Sequence, residues 1–173
     1  VVVVMFIFTR CPDVCPVTTQ NLGEVGDLLG DEMDGVTFLS ISVDPEYDTQ
    51  ERLKSFAHKH GVDWPHLSGT LEESEKVWEN FGIVVEKSFI ESHGADNQTE
   101  NNSGGNDSTT GTDDSHDDSD GHDHDEEQAN YSVGHSTVMF ILDKGQHKRV
   151  IWSGVSWVPE KVVNDIRILL DDK

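Results

Sequence analysis

Residues Val1 to Phe8 read VVVVMFIF, eight apolar side chains in a row and β-branched at most positions. A strand with one face in water alternates apolar and polar residues. An unbroken run therefore predicts a strand covered on both faces, the centre of an α/β sheet. The run is far short of the roughly 18 to 20 apolar residues that span a bilayer, and Thr9 and Arg10 end it at once. No charged leader or small-residue cleavage site precedes it, and a domain that starts inside its first strong strand reads as truncated at the N-terminus.

A helix is expected after this strand. Pro16 is placed as its first helical residue, and Leu22, Val25, Leu28 and Leu29 recur at helical spacing before Gly30. Val36 to Val43 predicts a second strand. Asp48 with Glu51 looks like a capping box opening a helix that carries Leu53, Phe56, Ala57 and His60 to Gly61, and Thr70 with Glu73 repeats the device ahead of Val77, Trp78, Phe81 and Gly82. Ile83 to Val85 is a short strand candidate. Tyr131 to Leu142 predicts a strand, Lys144-Gly145 a turn and Arg149 to Trp152 its partner strand, while Pro159 opens a last helix with Val162, Val163, Ile166, Leu169 and Leu170 on one face. Helices alternating with strands, closed by a hairpin, predict an α/β fold of thioredoxin-like type.

Between these parts, residues 91–130 hold 13 Asp and Glu, no Lys or Arg, and almost nothing apolar. Such a stretch cannot bury enough surface to offset the entropy of ordering, so a disordered Asp/His/Ser/Asn-rich insert is expected there. It splits a domain formed by residues 1–90 and 131–173. The whole chain carries 34 acidic against 12 basic residues, a formal charge of −22, and stays acidic without the insert. This excludes nucleic acid and anionic membrane surface as partners, and suits a salt-adapted, archaeon-like source where screening relieves self-repulsion.

The chain has only two cysteines, Cys11 and Cys15. They are too few and too close to be a stapling framework. They fall at a strand-to-helix junction, where unpaired backbone N–H groups and the helix dipole favour negative charge, so a thiolate forms readily. Three intervening residues put the sulfurs about one helical turn apart, which allows a disulfide or two bonds to one soft metal. Disulfide exchange and metal binding both use the thiolate, and spacing alone leaves both open. Two inert buried cysteines are the third possibility.

The segments TRCPDVCPVTTQNL, SISVDPEYDT and YSVGHSTVMFILDKGQ, in that order, resemble the signature blocks of the SCO/SenC family. The match covers most of the chain outside the insert. A CxxxC alone is common, whereas the three blocks in sequence are specific. The resemblance implies a thioredoxin-fold protein outside the cytoplasm, held at the membrane by an N-terminal anchor. Its implied role is to bind copper and assist assembly of the binuclear copper centre of haem-copper oxidases, with the copper-site subunit as partner. Carried over residue by residue, Cys11 and Cys15 match the paired ligands and His135 the ligand histidine. Without the resemblance, a single histidine on a strand is more often structural. Two thiolates suit Cu(I), and an added imidazole also accommodates Cu(II).

Gly134 stands where many members carry an acidic residue beside this histidine, so that neighbour supplies no carboxylate here. Asp44 and Pro45 match the SVDP block; Asp44 and Asp13 are candidates for bracing the ligands or docking a partner. The alternative is that Asp44-Pro45 only turns the chain and Asp13 is solvated. Among rival activities, a thiol-disulfide oxidoreductase acting on the cysteines of the target copper site would use Cys11 and Cys15 as its catalytic pair without needing the histidine. A thiol peroxidase would need Thr9 and Arg10 to face a sulfur. A pure interaction module leaves the cysteine pair unexplained.

Within the insert, SHDDSDGHDHDEE sets His116, His122 and His124 among carboxylates, a composition able to collect Cu(II), Zn or Ni weakly; a salt-adapted linker would look much the same. Asn97, Asn101, Asn106 and Asn130 all head Asn-x-Ser/Thr acceptors, which suggests a glycosylated loop outside the cytoplasm.

Overall fold

The computed structural model describes residues 1–89 and 131–172. The proposed insert lies outside the described residues, with His116, His122, His124 and the four acceptor asparagines except for the Tyr131-Ser132 that follow Asn130. The fold comprises two compact units, Val1–Ser88 with Val133–Lys173, and Phe89–Ser132. In the second unit the rings of Phe89 and Tyr131 meet with centroids 5.8 Å apart.

In the first unit, strand β1 (Val2–Ile7) is the middle of a five-stranded sheet, as its unbroken apolar sequence demands. Helix α1 (Val14–Leu29) leads by way of a 3-10 segment (Gly30–Gly35) to β2 (Thr37–Ser42), which runs parallel to β1 with Val4 opposite Leu39. Helix α2 (Gln50–Lys59) follows, then β3 (His66–Leu67), parallel to β2 at the sheet edge. Next come helix α3 (Leu71–Phe81) and β4 (Val85–Phe89). Past the insert, β5 (Tyr131–His135) pairs with β4 in a separate two-stranded ribbon. β6 (Val138–Leu142) lies antiparallel to β1, β7 (Lys148–Ser153) closes the sheet, and α4 (Pro159–Asp171) ends the chain, packed on α1. The sheet order β3-β2-β1-β6-β7, parallel on one side of β1 and antiparallel on the other, is the thioredoxin-like α/β arrangement expected.

The core follows from the pattern. Val3, Ile7, Leu22, Val25, Ile141, Val162 and Ile166 are buried between sheet and helices, and Phe6, Phe81 and Phe140 meet edge to face, which clamps α3 on the sheet. Ser40 and Ser42 on β2 are equally buried, yet both are satisfied: Trp64 Nε1 donates to Ser40 Oγ at 2.9 Å, and Ser42 Oγ donates to Asp48 Oδ2 at 2.6 Å.

The sequence reading needs correcting at several boundaries. Helix α1 starts two residues before Pro16, and Leu28 is exposed despite its spacing. Thr49, not Asp48, caps α2 by accepting the Arg52 N–H, because the Asp48 carboxylate is taken into the interior; His60 caps the other end rather than lying on the helix face. Tyr131–Leu142 is two strands broken at Ser136-Thr137, Ile83–Val85 is replaced by the later strand β4, and the two-residue β3 has too little sequence to show a period. At the β6–β7 turn the left-handed residue is Gln146 rather than Gly145, since the Asp143 carboxylate already holds the N–H groups of Gly145 and His147.

The Thr70 capping box is present in full: Thr70 Oγ1 accepts the Glu73 N–H at 3.3 Å, while Glu73 accepts the Thr70 N–H at 2.9 Å. Since α3 holds Trp78 and Phe81 on the core, Thr70→Ala is expected to destabilise the protein by about 1 kcal/mol. Urea unfolding checks this as a lower midpoint at unchanged slope; an unchanged midpoint would mean that α3 is fixed by packing alone.

Candidate metal centre

The cysteines sit where β1 runs out. After Ile7 the chain turns through Phe8 to Asp13, with the Cys11 N–H donating to the Phe8 carbonyl at 3.2 Å, and α1 begins at Val14. A helix start has backbone N–H groups with no partner inside the helix. Asp13, at the capping position, makes no side-chain cap bond and is exposed. The Cys11 sulfur does that work, accepting the Cys15 N–H at 3.3 Å.

The two thiols are consequently unequal. Cys11 is half-buried, and its pKa is lowered to about 6. The Cys15 thiol donating to it is the largest cause, burial opposes, and the backbone N–H groups of Cys15, Asp13 and Val14 add to the lowering. Cys15 is 1% exposed and strongly raised: its proton is held by the Cys11 sulfur, burial penalises a second thiolate, and the charges of Cys11 and Asp48 reinforce both effects. At neutral pH the pair shares one negative charge, located on the accessible sulfur.

His135 ends β5, where Tyr131, Val133 and His135 turn inward and Ser132 and Gly134 outward. Its Nδ1 lies 3.0 Å from the Ser136 carbonyl oxygen. A carbonyl only accepts, so Nδ1 carries the proton and Nε2 keeps its lone pair. Burial lowers the pKa of His135 and holds the ring neutral, with the Ser136 carbonyl working the other way. The ring stands edge to face with Phe8, centroids 5.7 Å apart, beside the turn that anchors Cys11. Gly134 has open space around it and faces away from the histidine, so a carboxylate there would point out from the opposite face of the strand. The partner of the imidazole is backbone instead.

Among the described residues, no three His, Cys, Asp or Glu side chains stand together as a preformed metal cluster. The structure thus joins Cys11 to Cys15 and sets His135 against Phe8, with a closed three-ligand arrangement not formed.

Behind the turn lie residues that the sequence reading ranked low or missed. Asp44 is fully buried: its carbonyl closes the turn by accepting the Tyr47 and Asp48 N–H groups at 3.0 and 2.8 Å, while its carboxylate contacts Arg10 at 2.8 Å and Lys87 at 3.0 Å. Asp48 accepts the Thr9 N–H at 3.1 Å, the Thr9 hydroxyl at 2.6 Å and the Ser42 hydroxyl at 2.6 Å. Burial raises its pKa, those hydrogen bonds oppose the rise, and the charge of Asp44 adds to it. Tyr47 is stacked between the guanidinium groups of Arg10 and Arg52, 4.4 and 3.9 Å from its ring centre. Thr9 is thus engaged by Asp48, and Arg10 by Asp44 and Tyr47. The signal for these roles was the recurrence of acids in DPEYD, which short-range rules read as turn and cap residues.

The unequal pair makes a pH signature. Alkylation of the reduced protein should modify Cys11 well before Cys15, with a rate that is half-maximal near pH 6, flat above about pH 7 and falling about tenfold per unit below the midpoint as the thiolate is lost. Cys15→Ala, which removes the donated thiol hydrogen, should move that midpoint upward. Mass spectrometry of iodoacetamide-treated protein across pH reads both, and a midpoint in the ordinary thiol range for the parent would sink the shared-proton account.

The chain is 36% identical over 80 residues to the human protein called "Protein SCO1 homolog, mitochondrial", a match that covers 43% of this chain and 25% of that protein. It is 34% identical over 87 residues to the "SCO1 protein homolog" of Bacillus subtilis, covering 47% of this chain and 45% of that one. The chain thus spans less than half the length of these curated relatives. Among solved structures, Bradyrhizobium japonicum ScoI with copper bound superposes with a TM-score of 0.66 at 22% identity, covering 97% of this chain and 83% of that one, which establishes the shared fold. The SCO1/SenC family model matches residues 1–104, a span that includes the cysteine turn and the Asp44 loop, and the chain belongs to the SCO1/SenC family.

Proposed function

We infer that this protein carries copper as cargo, held by Cys11, Cys15 and His135, and delivers it to the copper-site subunit of a haem-copper oxidase. The observation that carries the reading is the unequal thiol pair at the start of α1: an accessible Cys11 sulfur held as thiolate beside a buried Cys15 thiol at 3.3 Å from sulfur to backbone nitrogen. Thiolates are soft donors that select Cu(I), and the His135 Nε2 lone pair adds a nitrogen donor that also suits Cu(II). The copper bound in the structure of Bradyrhizobium japonicum ScoI, which shares the fold, supports the same cargo here. Asp13 and Asp44 stay outside the ligand set in this reading. Placement outside the cytoplasm with a membrane anchor is part of the same proposal and rests on the family resemblance.

Each residue has a separate task. Cys11 offers a ready ligand that needs no deprotonation at neutral pH, whereas Cys15 gives up its proton to the solvent as it joins. His135 needs none, since Nδ1 holds its proton on the Ser136 carbonyl. Binding at pH 7.5 should release about one proton per Cu(I), supplied by Cys15. Calorimetry in two buffers of different ionisation heat measures this, and a release of two protons would mean that Cys11 is an ordinary thiol.

A thiol-disulfide reductase acting on the cysteines of the target site is the second reading, favoured by the same low Cys11 pKa with a buried resolving thiol. The two readings part at the histidine. Metal analysis and absorption of reduced protein should give one tight copper in the parent and none in Cys11→Ser/Cys15→Ser, with affinity lowered at least about tenfold in His135→Ala. If His135→Ala keeps parental copper affinity while the dithiol still reduces disulfides, the histidine is structural and the redox reading takes over.

A further inference from the structure

The proposed ligands come from two different pieces of structure. Cys11 and Cys15 stand on the junction of β1 and α1, inside the five-stranded sheet system. His135 stands on the β4–β5 ribbon, which forms its own two-stranded sheet. Two strands alone are marginally stable in water, and this ribbon is held by Val85 and Val133 on the core, by its link through Ser136-Thr137 into β6, and by side-chain contacts toward the cysteine turn. The position of the histidine relative to the sulfurs depends on those contacts.

Asp44 supplies one on each side. Its carboxylate is 0% exposed and takes a different cation on each oxygen: Arg10 Nη2 on Oδ2 at 2.8 Å, and Lys87 Nζ on Oδ1 at 3.0 Å. Arg10 immediately precedes Cys11, while Lys87 belongs to β4. From there the path to the imidazole is short. The Ser136 N–H donates to the Val84 carbonyl at 3.1 Å, the Val84 N–H donates to Ser136 Oγ at 3.3 Å, and the Ser136 carbonyl accepts from His135 Nδ1 at 3.0 Å. Lys87 also reaches Glu46 at 2.6 Å, but that carboxylate is 58% exposed, and exposed pairs contribute little. The buried contact is different in kind. A carboxylate withdrawn from water requires its countercharges, so moving Lys87 away leaves a buried charge partly uncompensated. The ribbon is thereby pulled toward the turn that carries the cysteines.

We propose that Lys87 and Asp44 form a latch that seats the histidine-bearing ribbon against the cysteine turn, which makes Lys87 a positioning residue for His135. The proposal rests on the copper reading above and adds to it how the third ligand is brought to the other two. Lys87 touches neither copper nor sulfur in this role. It acts through the β4–β5 pairing.

A double-mutant cycle on the full chain tests it. Cu(I) affinity is measured by competition with a chromophoric chelator for the parent, Lys87→Met, His135→Ala and the double variant. Lys87→Met should weaken binding about tenfold, as expected when a partner behind a ligand is removed. In its presence His135→Ala should cost less than about threefold more, because the histidine is already displaced. Lys87→Arg should restore the parental value, and Glu46→Gln should leave it unchanged. Losses that multiply in the double variant, or parental affinity in Lys87→Met, overturn the latch. A second measurement needs no metal: exchange of the Ser136 amide hydrogen in the reduced apoprotein should quicken in Lys87→Met and not in Glu46→Gln. If His135→Ala alone leaves copper affinity untouched, the copper reading of the histidine fails, and the exchange experiment then decides the latch by itself: faster exchange supports it, and unchanged exchange rules it out.

Discussion

The architecture depends on two carboxylates buried behind the cysteine turn. Asp44 and Asp48 are 0% and 1% exposed, and an acid withdrawn from water persists only where donors surround it. Asp48 binds Thr9 through backbone and side chain, and Asp44 binds Arg10. The two residues before Cys11 are therefore fixed to the loop after β2, and the direction in which β1 hands over to α1 is set. The cysteine chemistry follows from that hand-over. With the turn fixed, Cys11 falls under the open end of α1 and its sulfur takes the place of a capping oxygen. A charge on it is stabilised by the helix N–H groups and by the Cys15 thiol, so the local fold and the low thiol pKa have one cause.

Much of this was legible in the sequence. The unbroken run from Val1 to Phe8 announced a central strand because only a strand covered on both faces tolerates it. Thr70 with Glu73 announced α3 because a capping box is a short-range device complete within four residues. The cysteine pair was legible for the same reason: strand end, thiols and helix start are adjacent in the chain. What stayed hidden depends on residues far apart. Asp48 reads locally as a helix cap, and its distant partner Thr9 is brought to it by the parallel pairing of β1 with β2, while Ser42 reaches it across the loop after β2. Lys87 offers no local signal, since its partner Asp44 lies 43 positions earlier in the chain. For His135, the family blocks named the residue while spacing could not, and the backbone carbonyl that orients its ring has no sequence signature.

In the proposed copper reading the donors come from two different strand pairings, which bears on how metal is released. A site with all its ligands on one scaffold holds metal well and releases it slowly, because every donor must be displaced against packed structure. Two sulfurs stand at the junction of β1 and α1, and the imidazole stands on the β4–β5 ribbon, which packs on the core through Val85 and Val133 and meets Phe8 through His135. In the copper reading proposed above, loss of the His135 nitrogen leaves a two-thiolate complex open to attack by a receiving pair of thiols. In the same reading the accessible Cys11 sulfur is the point of exchange and the buried Cys15 recovers its proton as the metal departs, so the strongly raised Cys15 pKa favours release as well as setting the acidity of its neighbour. On that proposal uptake and release follow from the same asymmetry between the two thiols.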